Sequence, residues 1–328
     1  MIISKSIKFF LYLFVFLAGL LIIGINLPLN LSNINFEVSQ GNLTEDLDKY
    51  LDTEEGKFTD INEWAKKRII WSNSNKDRTS ISLVYIHGFS ATLEEIRPVP
   101  DLVAEKLGAN LYFSRLSGHG KMSGEISQVS LSYWIKDVSE AIRIGSRIGE
   151  KTFILATSTG ATLVSAILAK NRDDFDLAGV VFISPNFAIK SFSSKFLTLP
   201  FVNYWGPFLI GEKIINEPLS LEHEKYWSLT YSTKSVIELA NLVKFTNNLN
   251  FKNIKTPALF FYSNEDKVVD TRKTSKVIKR WGGEVEDVIL KLTASDDPYS
   301  HVIAGKIRSP NQTRHVVEKI IYWIENLN

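Results

Sequence analysis

Apolar positions fall along the chain in three distinct rhythms. The first is a continuous block, FFLYLFVFLAGLLIIGINL at 9–27, which carries no charge and follows Lys5 and Lys8. Its length matches that of a helix crossing a hydrocarbon core. From Asn30 to about Asp77 the chain turns polar, rich in Asn, Asp, Glu and Lys, with short apolar pieces such as Arg68-Ile69-Ile70-Trp71. This predicts a connector leading into a first edge strand over 30–79. Beyond it, short β-rich apolar runs alternate with longer stretches at helical spacing.

The predicted strands are Ser80 to Ile86, Asn110 to Leu116, Lys151 to Thr157, Gly179 to Pro185, Ala258 to Tyr262 and Val285 to Leu292. The predicted helices are Leu93 to Leu107, Trp134 to Ile148, Leu163 to Lys170, Thr271 to Arg280 and Thr313 to Leu327. Such alternation implies right-handed crossovers and a mostly parallel central sheet covered by helices on both faces, an α/β fold over 80–328. Functional loops then collect at the carboxyl ends of the strands. The alternation breaks between Pro185 and Pro257, where no sheet strand is apparent. That interval contains an aromatic stretch from Phe196 to Gly211 and a helix from Thr233 to Asn247. It reads as a cap inserted at about 187–255, its apolar residues either lining an acyl pocket or forming the cap's own core.

Composition narrows the chemistry. The net charge of +2 is spread without basic runs, which argues against a nucleic-acid partner. Cysteine is absent, so disulfides, thiolate catalysis and cysteine-ligated metals are excluded. The five histidines are scattered and form no H-E-x-x-H pair. At the N-terminus, Ile22 to Pro28 offers no small-x-small cleavage site, which favours a retained signal anchor over 1–29 rather than a cleaved signal peptide. The lysines before it predict a cytoplasmic N-terminus and a main domain outside the cytoplasm.

The chemistry centres on Ala156-Thr157-Ser158-Thr159-Gly160-Ala161. A strand turns there into a helix, and small residues two before and two after Ser158 leave room for a strained turn. The pattern is G-x-S-x-G with alanine for the first glycine. Serine and glycine also occur in ordinary turns, so the test is whether a carboxylate and a histidine follow at later strand ends, because a serine hydroxyl needs a base and the base needs an orienting acid. Ser263-Asn264-Glu265-Asp266-Lys267-Val268-Val269 follows one strand, and Tyr299-Ser300-His301-Val302-Ile303 follows the last. Asp266 competes with Glu265 and Asp270 for the acid's place. Asp296 and Asp297 are consistent with His301 being a surface histidine in a polar loop, but its place between the last strand and last helix favours catalysis. His87 and His119 sit in glycine turns and are expected to shape loops, His223 to lie exposed on the cap, and His315 on the terminal helix. Gly118-His-Gly120-Lys-Met-Ser-Gly124 only superficially matches a dinucleotide fingerprint, since its last glycine falls one residue late.

From about Ile81 to Leu327 the chain resembles the α/β-hydrolase superfamily, in the branch of monoacylglycerol lipases and bacterial carboxylesterases. The resemblance rests on HGFS at 87–90, LSGHG at 116–120, the serine turn, and an acid loop of the form G-x-x-D-x-V-V with Ser263 for the glycine. It implies a Ser158, Asp266, His301 triad. It also implies oxyanion donors from the backbone N–H groups of Thr159 and Phe89. The expected activity is hydrolysis of a carboxylic ester, of acyl or lipid-derived type, with no cofactor. Amide or peptide hydrolysis, acyl transfer with the same triad, and a non-catalytic binding protein on this fold are the alternatives.

Overall fold

Strands and helices assemble around a seven-stranded sheet in a computed structural model that describes residues 5–26, 43–170 and 176–327. The strands of this sheet, numbered in chain order with the others among the described residues, are β1 (Arg68–Ile70), β2 (Thr79–Ile86), β3 (Asn110–Phe113), β5 (Gly149–Thr157), β6 (Leu177–Ile183), β9 (Ala258–Tyr262) and β10 (Val285–Ile289). Their spatial order is β1-β3-β2-β5-β6-β9-β10. Every neighbouring pair is parallel except β1 with β3. The central strands are apolar on both sides because both faces are covered. Alternate residues supply the two cores: Val84, Ile86, Ile154, Ala156, Val180 and Phe182 join one cluster. Leu83, Tyr85, Phe153, Leu155, Val181 and Ile183 join the other. This is the period-two consequence of the pleat.

Helices α4 (Leu131–Ile148), α5 (Thr159–Lys170) and α8 (Thr233–Asn247) cover the first face. Helices α3 (Val99–Leu107) and α10 (Pro310–Glu325) pack together over the second. Helix α3 starts six residues later than the spacing predicts. Pro98 is its N-cap and Pro100 lies in its first turn, and prolines there disfavour helix in the residues that precede them. The strands expected to reach Leu116 and Leu292 end at Phe113 and Ile289.

Helix α2 (Leu47–Glu55) and the small elements of the inserted segment were not read from the sequence. Helix α2 begins at Asp46, whose side chain accepts from the Lys49 N–H. Its Leu47 and Leu51 are buried, and Glu55 pairs with Arg115 through two 2.9 Å contacts. The interval between β6 and β9 adds no strand to the main sheet. It does hold β7 (Lys213–Ile215) and β8 (Thr230–Ser232), which join β4 (Glu125–Ile126) in a separate three-stranded sheet. It also carries α6 (Val202–Ile210) and α7 (Leu221–Tyr226).

Helix α1 (Lys5–Asn26) is long and apolar enough over Lys5–Gly24 to cross a membrane. Its side chains from Lys5 to Leu17 are all exposed, so no protein core accounts for their apolar character. The first part of the polar segment expected to follow it, 30–42, and residues 1–4 and 27–29 of the expected 1–29 anchor lie outside the described residues.

Candidate active site

Strand β5 ends at Thr157 and α5 begins at Thr159, so Ser158 alone makes the turn. Its φ of 49° is left-handed, a conformation that costs a non-glycine residue energy and persists only where surroundings enforce it. Here they do. The Ser158 N–H donates to Ile183 O at 2.9 Å, and its carbonyl accepts from the N–H groups of Asn186 at 3.1 Å and Thr162 at 3.2 Å. A Cβ at Gly160 would stand 2.5 Å from Ile86 O and 2.8 Å from His87 O, so only glycine fits. Ala156 is an ordinary interior strand residue paired with Ile86 and Phe182, which explains why a methyl is tolerated there.

His301 Nε2 lies 3.0 Å from Ser158 Oγ, and its Nδ1 lies 2.7 Å from Asp266 Oδ2. The other oxygen of Asp266 accepts from the Val268 and Val269 N–H groups at 2.7 and 2.9 Å. All three side chains are buried. The competing acids have other partners: Glu265 is exposed, and Asp270 caps α9 (Thr271–Ile278) and pairs with Arg272. Asp296 accepts from Thr293 and Asn311. Asp297 is buried against Arg308 and accepts the His301 and Val302 N–H groups, both at 2.9 Å, which fixes the loop that carries the imidazole. Burial alone would lower the His301 pKa. The facing Asp266 carboxylate, helped by Glu95 and Asp297, instead holds it above the ordinary imidazole value.

The 87–90 turn follows β2 beside the serine. The Leu116 N–H donates to His87 Nε2 at 3.0 Å, so the ring proton sits on Nδ1 and donates to Gly88 O at 2.8 Å. Burial pushes this imidazole down to about 4, and the ring stays neutral. His119 likewise accepts the Ser90 N–H at Nε2, at 3.1 Å. Both histidines shape loops, as their glycine turns suggested. The Gly88 N–H donates to Glu95 Oε2 at 2.8 Å. The amides on either side of Phe89 are thus occupied, while among the described residues the Phe89 amide has no protein acceptor. Thr159 opens α5, where first-turn N–H groups lack helical acceptors.

Glu95 is a site residue that the sequence reading passed over. It is buried behind the turn, takes a 2.9 Å hydrogen bond from Tyr85 Oη, and would lie 2.8 Å from a Cβ at Gly88. Burial pushes its carboxyl up to about 7. A glutamate in a predicted helix reads as a surface residue, and no local signal marks this one.

The inserted segment closes over the turn: the Ser228 N–H donates to Ser90 O at 2.7 Å, Thr92 Oγ1 donates to Tyr226 O at 2.9 Å, and the Tyr231 ring meets Phe89 edge-on at 5.1 Å. His223 is half-buried there rather than exposed, its ring tilted against Trp227 at 5.1 Å. The aromatic stretch fits neither role expected of it in full. Val202 and Gly206 pack toward α8, but Phe201, Tyr204 and Phe208 are 78%, 83% and 88% exposed.

Comparison with known proteins agrees with this architecture. No curated protein matches the sequence. Among solved structures, one from work on LipS and LipT, two metagenome-derived lipolytic enzymes, superposes with a TM-score of 0.64 at 18% identity, covering 81% of this chain and 99% of that one. The monoacylglycerol lipase of Paleococcus ferrophilus gives 0.59 at 16% identity, covering 80% and 98%. A soluble variant of the Saccharomyces cerevisiae monoglyceride lipase gives 0.56 at 13%, covering 80% and 92%. At these identities the likeness is one of fold. The family pattern described as serine aminopeptidase, S33 (Hydrolase_4) matches residues 78–293, about two-thirds of the chain, and the protein therefore belongs to that family of α/β-hydrolases.

Proposed function

We propose that this protein is a membrane-anchored serine hydrolase that cleaves carboxylic esters of acyl or lipid-derived type. The observation that carries the reading is the unbroken hydrogen-bonded chain from Ser158 Oγ through His301 to Asp266. His301 Nε2 accepts the serine proton as Oγ attacks the ester carbonyl, and Asp266 holds the imidazolium that forms. The proton then passes to the leaving alcohol, and water releases the acyl group by the same route. The developing oxyanion is met by the Phe89 and Thr159 N–H groups, donors that can each contribute about 3 to 4 kcal/mol to the transition state. The chemistry requires no cofactor. The segment between β6 and β9 acts as a cap over the site, and α1 is the anchor, with a cytoplasmic N-terminus and the hydrolase domain on the other side of the bilayer.

The ester reading is supported by the lipolytic enzymes and monoacylglycerol lipases that share the fold. The family description favours a second reading, amide or peptide hydrolysis, since the same triad serves both leaving groups. A panel of matched esters and amides decides between them: efficient amide turnover with poor ester turnover would overturn the ester assignment. Activation of the serine is tested by fluorophosphonate labelling, which should vanish in Ser158→Ala and collapse in His301→Ala. A folded wild type that stays unlabelled would rule out a catalytic serine.

A further inference from the structure

Helix α6 is built inside out. A surface helix normally turns its apolar stripe toward the core and its polar face to water. Here the narrow side, Val202 and Gly206, packs toward α8, while Phe201, Tyr204 and Phe208, spaced three and four apart, point away from the protein. Leu209, Ile210 and Phe192 extend the exposed apolar surface. Single exposed apolar residues need no explanation, but a contiguous aromatic face does.

The neighbouring element indicates what covers it. A Cβ at Gly24 would lie 3.0 Å from Leu199 Cδ2 and 3.1 Å from Pro200 Cδ, so the last turn of α1 runs against the residues just before Phe201. The apolar span Lys5–Gly24 has 20 residues, about 30 Å as a helix, which is the thickness of a hydrocarbon core. Gly24 then marks the rim of the bilayer, and the aromatic face starts beside it. Tyrosine and other amphipathic aromatics suit that boundary because a ring can sit among acyl chains while its polar edge stays wet.

We propose that the face formed by Phe201, Tyr204 and Phe208 is seated in the headgroup and upper acyl region of the membrane that holds α1. This rests on the reading of α1 as a retained anchor. The occupant is lipid, and the contact is apolar: along 187–233, Lys190, Lys195, Lys213 and Lys225 are balanced in sequence by Glu212, Glu217, Glu222 and Glu224, so anionic lipid is not required. The hydrolase domain is thereby held cap-down on the bilayer instead of swinging on the connector.

The absence of cysteine makes a direct test possible. Full-length Tyr204→Cys, Phe208→Cys, Phe14→Cys and Tyr322→Cys proteins, each labelled with an environment-sensitive fluorophore, are reconstituted into neutral phosphatidylcholine vesicles containing lipids with nitroxide quenchers near the headgroup or at mid-chain. Phe14 reports the anchor, and Tyr322, exposed on α10, reports a surface away from the cap. The proposal expects the mid-chain quencher to silence the Phe14 label and the shallow quencher to reduce the 204 and 208 labels several-fold more than the 322 label. It is overturned if the Phe14 label is quenched while the 204 and 208 labels behave like 322. It is also overturned if those labels are shielded from aqueous iodide without lipid quenching, which would assign the face to a second copy of the chain. If Phe14 itself escapes quenching, the anchor reading has failed and the docking falls with it, whereas fluorophosphonate labelling of Ser158 is unaffected by either outcome.

Discussion

His301 Nε2 stands 3.0 Å from Ser158 Oγ across 143 residues of chain, brought there by the parallel pairing of β5, β6, β9 and β10. Each ends up beside the other because each follows the carboxyl end of a sheet strand.

In the proposed mechanism Asp266 holds the imidazole tautomer that presents a free Nε2 to the serine. Asp266→Asn keeps the shape but reverses the hydrogen bond at Nδ1. The expected outcome is a folded protein whose kcat falls by roughly 10⁴-fold with KM little changed. A loss under about tenfold would show that another group orients His301.

The general base must be neutral to accept the serine proton. Because the Asp266 carboxylate holds the His301 pKa above its ordinary value, kcat/KM should rise with pH through a midpoint above about 6.5 and reach a plateau beyond it. A pH profile with an uncharged ester, corrected for spontaneous hydrolysis, gives the midpoint. A value well below about 6 would contradict the assigned base.

Glu95 holds the Gly88 amide, and its folded pKa of about 7 lies above its ordinary 4.5. A carboxyl raised on folding contributes stability that is present below the unfolded value and lost as pH climbs through the folded one. Glu95→Gln keeps an acceptor for Gly88 and has no proton to lose. Its melting temperature should therefore gain on wild type between about pH 5 and pH 8. Glu95→Ala leaves the Gly88 N–H unpaired and should cost about 1 to 3 kcal/mol in denaturant titrations at about pH 5, where the folded wild-type carboxyl is still protonated, a cost that shrinks as pH rises. A melting-temperature difference between wild type and the Gln variant that does not vary with pH would refute this.

Gly160 and Ala156 flank Ser158 symmetrically in sequence but not in space. Gly160→Ala drives a methyl into two backbone carbonyls that cannot swing aside, and should cost about 1 to 3 kcal/mol while lowering activity by parting β2 from the serine turn. Ala156→Gly should cost only about 0.5 to 1 kcal/mol and keep the activity. Chemical denaturation alongside ester turnover would reveal whether the order is the reverse.

The strand-helix alternation, the apolar N-terminal block, the strained turn at Ser158 and the candidate acid and base at later strand ends were all legible in the sequence. Such features depend on periodicity and turn chemistry within a few residues of each position, and local pattern reports them directly. Which of Glu265, Asp266 and Asp270 faces the imidazole was decided only by the tertiary structure. So were the burial of Glu95 behind the 87–90 turn and the outward aim of Phe201, Tyr204 and Phe208. A side chain's charge cost and its partners depend on what distant strands and helices pack around it. Two adjacent acids such as Glu265 and Asp266 look alike to a local reading until the fold leaves one exposed and buries the other.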